Sequence, residues 1–203
     1  TLAWVKELAQ FPIAGLLVPP PHYIRPAQAG LVQWFSALAD ASDTPLIVYD
    51  IPYRTGCTIA LDTLLALAVH PNIQAIKDCG GDASKTHAVI ADGRLQVLTG
   101  EDAQIFSTLA LGGAGAIAAS AHLCTPQFVQ VIQLLRDSEL QRARALWQPL
   151  AALVGAVFAE PNPAVIKAVL AQQGFIQDGL RLPMVKASVG ATQRLMDAVS
   201  RAG

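Results

Sequence analysis

The chain repeats one pattern five times: a short β-branched or aliphatic run, then a longer amphipathic stretch with helical spacing. The runs fall at residues 14–18, 46–49, 73–77, 95–98 and 116–119. Their starts lie roughly 32, 27, 22 and 21 residues apart, the length of one strand–helix unit. Amphipathic stretches at 30–41, 60–69, 83–91 and 102–111 read as helices. The runs are mostly apolar and do not alternate, as expected of parallel strands buried on both faces. Pro45, Pro71-Asn72 and Asp92-Gly93 mark the returns from helix to strand. Beyond the fifth run the β signal stops, and 126–136, 139–158, 163–173 and 188–201 read as helices only. No Gly/Ser linker intervenes, so these helices are expected to pack on the strand–helix part. The division falls at residue 125, giving a strand–helix part (1–125) and a helical part (126–203). Repeated units of this kind build an open doubly wound sheet or a closed (β/α)8 TIM barrel. Periodicity does not separate the two. A closed barrel takes eight units and about 250 residues, so five units make either an open sheet or part of a barrel.

Composition narrows the class of function. Of 203 residues, 53% are apolar and 14% charged, which rules out a disordered tail. Fourteen Lys+Arg against fifteen Asp+Glu leave a net charge of −1, so no basic field exists to hold nucleic acid. The longest clean apolar stretch, residues 150–159, is far shorter than the ~20 residues a membrane span needs. No signal peptide is recognised, and the chain opens at Thr1, not Met, in what reads as mid-helix. Cys57, Cys79 and Cys124 are odd in number and lack C-x-x-C spacing, which fits a reducing, cytoplasmic setting. His22, His70, His87 and His122 show no metal-ligand spacing, so no metal site is expected.

In either architecture chemistry collects at the carboxyl ends of the strands. Those ends offer one amine, Lys77, with Tyr49 closing the preceding run and Arg54 five residues after it. A strand-end lysine is ordinarily a solvated loop residue. Held in a dry barrel mouth, however, its amine loses the stabilisation of its charged form and can attack a keto group to form a Schiff base. Tyr49 is by default a half-buried aromatic; beside such a lysine its phenol would carry protons. Arg54 is an ordinary surface arginine unless its planar fork holds a substrate carboxylate. The cluster Leu111-Gly-Gly-Ala-Gly-Ala116 is not a nucleotide loop, because it precedes a strand; it is read as a helix end and tight turn. Asp102, and Asn162 before Pro163, are read as helix N-caps.

These residues resemble a known family. Val48-Tyr-Asp-Ile-Pro-Tyr-Arg-Thr-Gly56 and Ala75-Ile-Lys-Asp78 are similar to the two signature segments of dihydrodipicolinate synthase and N-acetylneuraminate lyase, the class I pyruvate-dependent aldolases. Leu98-Thr-Gly-Glu-Asp-Ala103, Leu111-Gly-Gly-Ala-Gly115, Phe158-Ala-Glu-Pro-Asn-Pro163 and Leu180-Arg-Leu-Pro183 match further segments, in the family's order and spacing. The resemblance implies a (β/α)8 barrel, represented by its last five βα units, with a C-terminal helical region. It implies that Lys77 condenses with pyruvate and that Tyr49 is the central proton-relay tyrosine. Tyr23, in Pro21-His-Tyr-Ile-Arg-Pro26, matches the tyrosine that reaches into a neighbouring subunit's site. Arg54 matches the arginine that binds the aldehyde's carboxylate, and favours the synthase over the lyase; Gly100 and Ile117 line the pocket.

The chain also departs from the pattern. The first three βα units, which carry a Gly-Thr-Thr-Gly-Glu segment, are absent. Asp50 stands where Asn is usual. His22-Tyr23-Ile24 replaces Tyr-Tyr-Asn, which puts feedback inhibition by lysine in doubt. The expected function is condensation of pyruvate with L-aspartate 4-semialdehyde, in lysine and diaminopimelate biosynthesis, through an imine on Lys77 and with no cofactor. Another sugar-acid aldolase or dehydratase of the family is the alternative within the class, and an inactive remnant or partner-binding module the alternative outside it. The expected partners are pyruvate, a small aldehyde and further copies of the chain, as a homodimer or homotetramer, with no nucleic acid and no membrane.

Overall fold

Five parallel strands follow one another through the sheet in the order in which the chain makes them. The computed structural model describes residues 1–8 and 10–203. Helix α1 (Leu2–Leu8) precedes β1 (Leu16–Val18), α2 (Gln28–Asp40), β2 (Leu46–Asp50), the single-turn α3 (Pro52–Thr55) and α4 (Leu61–Leu67). Next come β3 (Ile73–Asp78), α5 (Ala83–Asp92), β4 (Gln96–Thr99), a 3₁₀ turn (Asp102–Gln104), α6 (Ile105–Ala110) and β5 (Gly115–Ala116). A second 3₁₀ turn (Ser120–His122) leads to α7 (Thr125–Arg136), α8 (Leu140–Val157), α9 (Ala164–Gln172) and α10 (Val189–Ala202).

Strand order separates the two architectures that periodicity leaves open. A doubly wound sheet reverses its order at a switch point. Here the order β1-β2-β3-β4-β5 has no reversal and every pair is parallel. The fold is five consecutive units of a (β/α)8 barrel, followed by helices.

The chain forms two compact units: Thr1–Glu101 with Leu111–Ile117, and Asp102–Ala110 with Ala118–Gly203. In the first, burial alternates along β1, β2 and β4. Leu46, Val48 and Asp50 of β2 are buried, while Ile47 and Tyr49 are half-buried and Leu17 of β1 is exposed. The buried side shares a core with Leu31, Phe35 and Leu38 of α2, Leu64 and Leu67 of α4, and Val89 of α5. Each such side chain contributes about 1.5–3 kcal/mol on full burial. This corrects the expectation of strands buried equally on both faces. Helices cover one face, and five strands do not close over the other. Apolar residues on that other face, Leu17 and Ile47 among them, hide the alternation in the sequence.

The returns have local causes. Asn72 Nδ2 donates to Ala39 O (3.0 Å) and Ser42 O (2.5 Å), stitching the turn before β3 to the turn before β2. Gly93 ends α5 at φ +76°, a conformation that side-chain-bearing residues rarely adopt.

In the second unit, α8 packs against α7 and α10, and Trp147 lies 6.2 Å, centroid to centroid, from both Phe106 and Phe128. Two cap readings are corrected here. The Asp102 carboxylate does not cap its own helix; it accepts from Ala119 N (3.3 Å) and Ser120 N (2.6 Å). Those bonds turn the chain into the Ser120–His122 turn, so the fifth strand is Gly115–Ala116 and not 116–119. Asn162 does not cap α9 either: Pro163 occupies the cap position, and Asn162 Oδ1 is buried with no hydrogen-bond partner among the described residues. Ser188 does cap α10, accepting from Ala191 N at 3.1 Å.

Phe35 is wholly buried. Phe35→Ala is expected to cost about 3–5 kcal/mol, read as a fall in the denaturant midpoint of the full-length protein at unchanged slope. A loss near zero would mean that the α2–sheet core is not formed in solution.

Candidate active site

Tyr49 and Lys77 are direct neighbours across β2 and β3 because the register pairs them. Both point to the face that the helices leave uncovered, and both are half-buried. Lys77 Nζ lies 4.4 Å from the centre of the Tyr49 ring, within reach of the attraction between a cation and the electron-rich ring face. Gly100, one residue past β4, makes the room for this amine. A Cβ there would stand 2.5 Å from Lys77 Cε and would also collide with Cys79 Sγ. Gly100 N donates to Asp78 O at 2.8 Å, which fixes the backbone at that closeness.

Cys79 belongs to the same group. It lies two residues beyond Lys77 and so on the same side of the extended chain; it is buried, and its thiol donates to Tyr49 Oη across 3.9 Å. Burial pushes the Tyr49 phenol well above its ordinary range, and Cys79, Tyr53 and Glu101 push it the same way. Burial also pushes the Cys79 thiol up to about 12, with the Glu101 carboxylate adding to the rise. Both groups therefore keep their protons near neutral pH.

The remaining candidates stand apart from this pair. Arg54 lies on α3, a turn opened by Pro52 and ended by Gly56 at φ +72°. Its guanidinium is 5.5 Å from the centre of the Tyr53 ring, and the residue is exposed. Ile117 N donates to Thr99 O at 2.9 Å, and its side chain is partly exposed. Tyr23 is 95% exposed at φ +75°. Among the described residues, no hydrogen bond or ring contact joins it to Tyr49, Lys77 or Arg54. Sequence reasoning missed Cys79, whose one available signal was its place two residues after Lys77. It also missed that Asp50 forms a buried ion pair with Lys85. Among the described residues no three His, Cys, Asp or Glu side chains form a group that could hold a metal ion, and no helix is long and apolar enough to cross a membrane.

The model of the Dihydrodipicolinate synthetase family matches residues 1–202. The chain belongs to that family. A 4-hydroxy-tetrahydrodipicolinate synthase 2 of Clostridium acetobutylicum is 38% identical over 194 residues, covering 94% of this chain and 68% of its own. Among solved structures, the chloride-inhibited dihydrodipicolinate synthase of Acinetobacter baumannii complexed with pyruvate is 32% identical with a TM-score of 0.94. That match covers 99% of this chain and 70% of the Acinetobacter chain. A structure described as the first monomeric dihydrodipicolinate synthase variant is 29% identical with a TM-score of 0.93, covering 99% of this chain and 69% of that one. The chain thus spans about two thirds of the length of these family members.

The collision at Gly100 gives a test of the room it leaves beside Lys77. Gly100→Ala is expected to lower formation of a pyruvate adduct on Lys77 by tenfold or more, measured by borohydride trapping at a temperature where the variant remains folded, and to lower the melting temperature because the added methyl also presses on the buried Cys79. Full trapping in Gly100→Ala would show that Lys77 does not need the space.

Proposed function

We propose that the full-length protein condenses pyruvate with L-aspartate 4-semialdehyde through an imine on Lys77. The observation that carries this reading is the Lys77 amine beside the Tyr49 phenol on the uncovered face of the sheet, with Gly100 leaving room for it. The neutral amine attacks the keto carbon of pyruvate; a C–N bond forms, and the former carbonyl oxygen gains protons and departs as water. Loss of a methyl proton then gives an enamine, whose carbon attacks the aldehyde of the second substrate. The amino group of that substrate closes the ring and releases Lys77. Each step needs a proton moved at the site. A phenol whose proton is held by burial serves best as a relay, giving one proton as it receives another. Arg54 is suited to the aldehyde's carboxylate because its guanidinium offers two parallel donors.

The same reading makes the enzyme a cytoplasmic homodimer or homotetramer, with the barrel part at 1–125 and the helical part at 126–203. Its support is the exposure of Tyr23 in a turn of positive φ; a two-fold interface would make an exchange of this tyrosine between copies reciprocal. The catalytic route needs no cofactor beyond the lysine itself.

Borohydride reduction in the presence of pyruvate should leave a mass adduct on the peptide containing Lys77. An adduct on Lys85, or none, would overturn the assignment. Tyr49→Phe should lower kcat by about 10²–10⁴-fold with a much smaller change in the pyruvate KM. Tyr23→Phe should also lower kcat, and light scattering should find no active monomer. An unchanged kcat in Tyr49→Phe, or a fully active monomer, would refute the corresponding role.

A further inference from the structure

We propose that the buried Asp50–Lys85 ion pair is a positioning device that holds Arg54 in register with Lys77; the proposal rests on the aldolase reading above. Asp50 follows Tyr49 and points to the other side of the sheet, where it is wholly buried. Lys85, from α5, is 6% exposed and donates to Asp50 Oδ2. The same ammonium donates to Ile59 O at 3.1 Å, and Ile59 N donates to Asp50 Oδ1 at 3.2 Å. Both backbone groups of the buried Ile59 are thus held by one ion pair.

This places the pair at the foot of the segment that carries Arg54. Asp50 begins the excursion and Ile59 ends it, so the carboxylate closes residues 50–59 into a loop with α3 at its outer turn. Lys85 then ties the closed loop to the helix that follows the Lys77 strand. The connection between them is fitted to the same point. A Cβ on Gly80 would stand 2.7 Å from both Asp50 Oδ2 and Lys85 Nζ, so the backbone passes against the pair and helps keep water from it. Asp78 steadies that connection, accepting from Gly80 N at 2.8 Å and from the Thr86 hydroxyl. Arg54 itself is exposed, and its guanidinium lies over the ring of its neighbour Tyr53. Its distance from Lys77 is therefore set by how its loop is anchored. Strand pairing fixes the start of the loop, with Cys79 N donating to Asp50 O at 2.8 Å, and Gln28 of α2 holds Thr58 O and Ala60 N, both at 2.9 Å. The ion pair is the anchor that joins the loop's end to α5, the helix after the Lys77 strand. Neither Asp50 nor Lys85 faces the substrate; each acts through Arg54.

The test uses the full-length enzyme with Lys85→Met and the double variant Asp50→Asn/Lys85→Met. The double variant leaves no buried charge unpaired and keeps an acceptor for Ile59 N, so it is the form to rely on if Lys85→Met does not fold. The expected result is a rise of tenfold or more in the aldehyde KM, with the pyruvate KM and the borohydride-trapped adduct within twofold of the parent. Amide hydrogen exchange in residues 51–59 should accelerate by tenfold or more. An unchanged aldehyde KM, or equal rises in both KM values, would overturn the proposal. If the parent enzyme traps no pyruvate at all, the aldolase reading fails separately. Exchange then decides the anchor by itself: unchanged protection of 51–59 in the double variant refutes it, and lost protection supports it.

Discussion

Adjacent residues of a strand point to opposite sides of the sheet, and the register of β2 on β3 uses that rule twice. Tyr49 pairs with Lys77 on the uncovered side, and Asp50 pairs with Asp78 on the helix side. A slip of one residue would exchange the two sets. A slip of β2 would drive the Tyr49 phenol among the helices and turn the Asp50 carboxylate toward the open face, away from Lys77 and Lys85. The apolar set of β2, Leu46 and Val48, holds the register against such a slip, because both would have to leave the core.

Behind the face that carries Tyr49 and Lys77 lies a layer of polar groups that a hydrophobic core would not need. Asp50, Asp78 and Lys85 are all buried. Breaking one partner out of such a pair typically costs about 3–5 kcal/mol, whereas replacing both with apolar groups is often neutral. The pair is therefore weak evidence for stability as such. Its geometry is better explained by what it holds: two backbone groups of Ile59 and, through them, the loop that bears Arg54.

The two sides of the sheet treat their titratable groups differently. On the uncovered side, burial and the Glu101 carboxylate raise both the Tyr49 phenol and the Cys79 thiol, so each remains a neutral donor. On the helix side, burial raises the Asp50 carboxyl while the Lys85 ammonium and Ile59 N draw it down. A neutral hydrogen-bonding network thus sits within a few ångströms of the amine, and the nearest buried ion pair is kept on the far side of the sheet.

Much of this was legible in the residues. Five apolar runs at unit-length spacing announce five strand–helix units, and the residue types at their ends name Lys77, Tyr49 and Arg54 as the groups with chemistry to offer. Local signals end there. Cys79 donates to a phenol 30 residues away, and Lys85 lies 35 residues from the carboxylate it neutralises. Asp102 and Asn162 look like caps because capping is a local pattern, yet the Asp102 carboxylate is drawn instead to backbone 17 and 18 residues away. Periodicity and residue type determined the class of fold and the candidate chemistry by themselves, since both are properties of neighbours along the chain. Tertiary structure alone decided the strand order, the pairing of Tyr49 with Lys77 and the anchoring of the Arg54 loop. These depend on register between strands and on contacts across 26 to 35 residues, whose closure is set by the packing of the whole unit and not by any segment within it.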